Sequence, residues 1–214
     1  MDFNQFLLFL SAGSILAPLF FYLWGKAYLH PTGKALGVFI FGAFLVELVS
    51  FVLAQWHFNN IWLLYLFIPF EFASLAYLVG RHVVNKINPS TPFVFAVGLI
   101  VVEMIEVRYA ADNFNAGNLT RTVECVMLIV IALYAFYDLM QETREVYLQD
   151  IPLFWLAACI LLYSAGNIFL FAAGGIESIR HSSSLWSIHS ILNTLFNLIL
   201  VRHILCLKPE SRFR

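Results

Sequence analysis

The sequence predicts an all-α polytopic integral membrane protein. Seven transmembrane helices form a single bundle over residues 1–214, with the N-terminus out and the C-terminus cytoplasmic. Three observations predict this. First, 61% of the 214 residues are hydrophobic and only 12% are charged, with a mean hydropathy of +0.83. A soluble domain carries about 25% charged residues, and a soluble chain of this size has no way to hide so much apolar surface from water. Second, the apolar residues fall into seven runs, each near the length that crosses a hydrocarbon core of about 30 Å. Third, lysine and arginine collect on one side of those runs. The net charge of −1 provides no basic field for nucleic acid, so a nucleic-acid partner is not expected.

The runs are continuously apolar, which favours helices over the alternating short strands of a barrel. Phe6–Trp24 comes first, followed by the polar link Gly25–Lys34. The second run, Ala35–Ala54, is introduced by Gly33-Lys-Ala-Leu-Gly37, whose small residues let helices approach closely. Gln55–Asn60 leads to the third, Ile61–Val79. Arg81–Thr91, with Pro89, leads to the fourth, Pro92–Val107. Arg108–Thr122 is the longest polar stretch and precedes the fifth run, Val123–Leu139. Met140–Asp150 precedes the sixth, Ile151–Ala172, which carries the small-residue segment Ser164-Ala-Gly-Asn167. Ala173–Ser183 precedes the seventh, Ser184–Leu205. No link is long enough for a second domain.

Lys26, Lys34, Arg81, Lys86, Arg144, Arg202, Lys208, Arg212 and Arg214 lie on one side, against Arg108, Arg121 and Arg180 on the other. The richer side is cytoplasmic. The start of the chain has Asp2 and no lysine or arginine before the first run. A cleaved signal peptide wants a positive start, so the first run is expected to be retained. Cys125, Cys159 and Cys206 lie in or beside apolar runs and read as small packing residues, not a disulfide framework. Asn118-Leu-Thr120 is a glycosylation sequon on the outer side.

Polar groups at membrane depth are costly and therefore mark candidate sites. Glu47 lies in the outer half of the second run, Glu71 near the middle of the third and just after Pro69. Glu103 and Glu106 lie in the outer third of the fourth, and Glu124 near the outer end of the fifth. Asn167 lies in the sixth; His189, Asn193 and Asn197 form a stripe along the seventh. No lysine or arginine is expected at membrane depth to neutralise the carboxylates. The expectation is a polar pocket in the outer half of the bundle, with ligand-binding residues Glu47, Glu71, Glu103, Asn167, His189 and Asn193. Glu106 and Glu124 read as interhelical glue.

Several chemistries lack their residues. A retinal Schiff base needs a lysine inside the bundle, and all four lysines lie in links or tails. A zinc-dependent membrane hydrolase would draw on Glu47, Ser50, His57, His181 and His189. The His189-x-x-x-Asn193 spacing, however, puts asparagine, a poor zinc ligand, where a second histidine belongs. Haem would need His189 and His203 paired with His57 or His181 and with His30 or His82, all at run ends or in links. Phosphate-binding glycine loops and nucleophile elbows are absent. No metal and no cofactor is expected.

The segments Tyr65-Leu-Phe-Ile-Pro-Phe-Glu71-Phe and Trp186-Ser-Ile-His189-Ser-Ile-Leu-Asn193-Thr-Leu-Phe-Asn197 resemble those of small bacterial seven-helix inner-membrane proteins often encoded beside sensor kinases. The resemblance covers two helices and supplies no ligand or reaction. It implies a sensory or accessory role, with Glu71, His189, Asn193 and Asn197 as the residues to test. The expected function is a receptor-like sensor or accessory subunit of a bacterial inner membrane. It would bind an unknown small ligand and signal through a protein partner in the membrane or at the cytoplasmic face, with membrane lipids around it. A small-solute or proton-coupled transporter is the alternative, and a zinc-dependent lipid hydrolase a further one.

Overall fold

Each apolar run is helical in the computed structural model, which describes residues 3–56, 58, 60–83, 87–109, 118–141, 147–174 and 183–207. The helices are α1 (Phe3–Ser14), α2 (Leu16–Trp24), α3 (Gly33–Gln55), α4 (Ile61–His82), α5 (Thr91–Tyr109), α6 (Asn118–Gln141), α7 (Pro152–Gly174) and α8 (Ser183–Cys206). Short 3₁₀ turns at Ala27–Leu29 and Leu148–Asp150 precede α3 and α7. Among the described residues there is no strand.

Prolines have different effects along the chain. Pro18 has no N–H to donate, and its ring crowds the carbonyl of Ser14 four residues back. The first apolar run is accordingly interrupted at Ile15 and divided into α1 and α2. At this break the Ser14 hydroxyl donates to the Ser11 carbonyl at 2.6 Å and accepts from Asn197 Nδ2 of α8 at 2.8 Å. Pro69 sits inside α4 without breaking it. Pro152 is the first residue of α7, where a missing N–H has no helical partner to lose.

Among the described residues, six segments are long and apolar enough to cross a membrane: Phe3–Trp24, Gly33–Gln55, Trp62–His82, Leu119–Gln141, Pro152–Phe171 and Ser187–Cys206. The chain is thus an all-helical protein with the build of a multi-pass membrane protein. The seventh expected run, Pro92–Val107, corresponds to α5. Glu103, Glu106 and Arg108 in its last two turns keep it out of that set.

The helices pack as one bundle. α6 lies against α7, α7 against α8, and α1 and α2 also against α8, while α4 touches α3, α5, α6 and α7. α4 is the most enclosed. Its side chains Ile68, Phe72, Leu75 and Leu78 meet Leu36, Phe39 and Ile40 of α3, Leu128 of α6, Leu156 and Ile160 of α7 and Leu200 of α8 in a continuous apolar core. Outward faces are apolar as well: Val38, Leu45, Val94, Val97, Met104, Val130, Phe169 and Leu198 are all more than half exposed. Water would penalise these surfaces, at about 25 cal/mol for each Å² left exposed; lipid does not.

Small residues set three of the contacts. A Cβ on Gly33 would lie 1.9 Å from the Ala27 carbonyl oxygen. A Cβ on Gly37 would lie 2.3 Å from Tyr22 Oη, which donates to the Gly33 carbonyl at 3.1 Å. A Cβ on Gly166 would lie 2.4 Å from Leu192, across the α7–α8 contact. Both small-residue segments noted in the sequence therefore work as close-packing points. Gly33→Ala is expected to cost about 1–3 kcal/mol, the usual range for overpacking. Titration with sodium dodecyl sulfate in mixed micelles, followed by circular dichroism, checks this.

Candidate functional site

The site begins with the N-terminus of α6. The first amides of a helix have no helical acceptor, and the end carries partial positive charge. Glu106 of α5 supplies both an acceptor and a counter-charge. It accepts from Leu119 N at 2.9 Å, Thr120 N at 3.0 Å and the Thr120 hydroxyl at 2.6 Å. The expected role of Glu106 as interhelical glue takes this form: a cap donated by a neighbouring helix. The cap starts α6 at Asn118, where the apolar run alone begins at Val123. The sequon thus falls in the first turn of α6, with Thr120 buried.

The early start carries Arg121 into the bundle. Arg121 is 2% exposed. Its Nη1 donates to Glu71 of α4 and, at 2.6 Å, to Glu124 one turn along α6. Its Nη2 donates to Tyr163 Oη of α7 at 2.7 Å, and the guanidinium carbon lies 5.5 Å from the Tyr163 ring centroid. Three helices are tied through one guanidinium. This corrects the expectation that no arginine or lysine neutralises carboxylates at membrane depth, and it removes Arg121 from the outer links. A fixed, planar fork of N–H groups suits arginine to serving several acceptors at once.

Above this cluster lies a cavity of about 330 Å³. Its lining runs from Ser50 and Asn60, near the α3–α4 connection, down to Glu71, Arg121 and Asn197. That volume is at the small end of the range for ligand pockets. Four of the six expected ligand-binding residues line it: Glu47 of α3, Glu71 of α4, and His189 and Asn193 of α8. The other two do not. Asn167 of α7 is fully buried behind the wall, its Oδ1 2.8 Å from His189 Nδ1. Because that oxygen can only accept, the contact assigns the N–H to Nδ1 of His189. Glu103 is buried on α5, apart from the cavity lining, and its Oε1 has no hydrogen-bond partner among the described residues.

The polar wall on the α8 side is built on serines of α1. Asn193 Nδ2 donates to Ser11 Oγ at 3.0 Å and approaches Glu47 Oε1 at 3.4 Å, and Asn197 makes the bond to Ser14 described above. The rest of the lining is largely apolar and aromatic, with Phe39, Phe67, Phe171 and Phe196. Further along the helices come Leu75 and Leu78 of α4, Leu156 of α7 and Leu200 of α8, members of the apolar core, and then a histidine cluster toward the other end of the bundle. There His30 and His82 stack with centroids 6.4 Å apart, and His203 packs edge-on to His82 at 5.5 Å. His82 Nδ1 donates to the Leu78 carbonyl and His203 Nδ1 to the Pro152 carbonyl, both at 2.8 Å. His203 thus meets His82, one of the partners the haem pairing would need, but the rings are packed against each other.

Among the described residues, no group of three or more His, Cys, Asp and Glu is arranged to hold a metal ion. His57 and His181, which the hydrolase reading would use, lie outside the described residues. Sequence reasoning misses Arg121 and Tyr163 as members of the site. The available signal is Arg121-x-x-Glu124, a pair that meets on one helix face only if the helix starts early.

Compared with known proteins, the chain matches no protein-family model, no curated protein and no solved structure.

Proposed function

We propose that the protein is a receptor-like membrane subunit that binds a small molecule in this cavity and reports its presence to a protein partner. The observation that carries the reading is the cavity itself. Polar groups from α3, α4, α6 and α8 converge in it, and a packed apolar layer closes it beneath. An occupant would then alter how the helices pack, without passing through. The proposed setting is a bacterial inner membrane with seven spans, the N-terminus out and the cavity in the outer half. As the seventh span, α5 is supported by its two faces: Val94, Val97, Val101 and Met104 point outward, while Ala96, Leu99, Glu103 and Glu106 point inward. The orientation is supported by the lysine and arginine distribution. It becomes more uneven once Arg121 is counted with the bundle.

A transporter is the second reading, and one observation favours it: Glu71 and Glu124 share a single guanidinium. Crowded carboxylates of this kind occur in proton relays. One experiment separates the readings. Purified protein in nanodiscs is screened for thermal stabilisation against a metabolite library, with Ser50→Phe blocking the cavity mouth. The same ligand is then tested in proteoliposomes holding a pH-sensitive dye. A receptor-like subunit gives stabilisation that Ser50→Phe removes, without ligand uptake or proton flux. Ligand-dependent flux would make the protein a transporter, and stabilisation unaffected by Ser50→Phe would put the ligand elsewhere.

A further inference from the structure

We infer that the occupant of the cavity is a small organic cation, a protonated amine on an apolar or aromatic body. This rests on the ligand-binding reading above and names the class of ligand. The first reason is the balance of charge. Among the described residues, the charged and titratable groups in and under the cavity are the carboxylates of Glu47, Glu71 and Glu124, the guanidinium of Arg121, and the imidazole of His189, whose Nδ1 hydrogen faces Asn167. One guanidinium serves two of the three carboxylates, and the third, Glu47, stands apart from it. Among the described residues, its hydrogen-bond partner is the Asn193 amide at 3.4 Å, at the long end of a hydrogen bond. A carboxylate in a low-dielectric wall calls for a cation or a proton.

The second reason is the kind of hydrogen-bonding group left facing the cavity. Asn193 and Asn197 turn their amide nitrogens to the hydroxyls of Ser11 and Ser14. This leaves their carbonyl oxygens, with the Glu47 carboxylate, as acceptors for an occupant. An ammonium group brings three donors and no acceptor, the complement of that set. The third reason is the remaining wall. Phe67, Phe171 and Phe196 offer ring faces and edges to the body of the ligand, and aromatic faces attract cations directly. A volume near 330 Å³ limits the ligand to a few tens of atoms at most.

The test uses 2-phenylethylamine, which is charged at neutral pH, and its neutral isostere 2-phenylethanol. Each is titrated by calorimetry into the full-length protein in nanodiscs, for wild type, Glu47→Gln and Ser50→Phe. The inference expects the amine to bind wild type at least tenfold more tightly than the alcohol. It expects Glu47→Gln to abolish that preference while keeping the wild-type thermal midpoint, and Ser50→Phe to weaken both ligands. Equal binding of amine and alcohol, or an amine preference that survives Glu47→Gln, overturns the cation assignment. If the alcohol binds wild type and Ser50→Phe blocks it, the cavity remains a ligand site and only the charge assignment fails. If no compound in the library screen depends on Ser50, the ligand-binding reading itself fails.

Discussion

Arg121→Met is expected to be the most destabilising single change in the described part of the chain. It removes the cation shared by Glu71 and Glu124 and leaves two buried carboxylates without a counter-charge. The Tyr163 hydroxyl loses its donor as well. Removing one partner of a buried ion pair costs about 3–5 kcal/mol, because the remaining charge is stranded. Replacing the whole set with neutral groups is far milder, so the triple variant Glu71→Gln, Arg121→Met, Glu124→Gln should recover most of the loss. Unfolding by sodium dodecyl sulfate in mixed micelles measures both. A triple variant as unstable as Arg121→Met would show that the arginine is needed for some reason other than balancing these carboxylates.

Glu106→Ala should follow, at about 2 kcal/mol. The carboxylate holds two backbone amides and one hydroxyl at the start of α6. Loss of an ordinary N-terminal cap costs about 0.5–2 kcal/mol; bonds to an ionised acceptor are stronger, and here the cap also joins α5 to α6. Hydrogen exchange should report the change locally, with faster exchange at Leu119 and Thr120 and little change in α7 and α8. Because the cap sets where α6 begins, the same variant should loosen the grip of Arg121 on Glu71.

How far the sequence speaks for this fold depends on the kind of signal. Continuous apolar runs locate the described membrane-length helices, because an unbroken apolar segment in lipid satisfies its own backbone as a helix, whereas a barrel needs alternating strands. They are less informative about helix ends. A start at Val123, taken from the run alone, misses the first turn of α6, whose polar residues are satisfied by Glu106 from another helix. At about 1.5 Å per residue, that shift is enough to move Arg121 from the rim into the interior. The division of the first run is written in Pro18, whose ring disturbs the turn before it, yet Pro69 stands in an unbroken α4. Proline alone does not say which outcome a bundle will support. Glu47, Glu71, His189 and Asn193 stand out as polar residues in apolar runs, and the cavity gathers them. Asn167 and Glu103 carry the same signal but point to a neighbour and to a separate buried position. Depth in a run places a residue along the membrane normal; it does not say which way the helix face turns.

The central claim is that a ligand cavity opens to the outer side of the membrane and is closed from the inner side. The direct measurement is thiol accessibility at the cavity wall. Asn193→Cys is made in a chain whose Cys125, Cys159 and Cys206 are replaced by alanine or serine. It is exposed to a membrane-impermeant charged thiol reagent in right-side-out and in inside-out vesicles, with Leu200→Cys in the apolar layer as the control. The account predicts that the Asn193→Cys variant is labelled from the outer face alone, that a bound ligand slows this labelling, and that the Leu200→Cys variant is labelled from neither face. Labelling of Asn193→Cys from the inner face, or of Leu200→Cys from either, would contradict it.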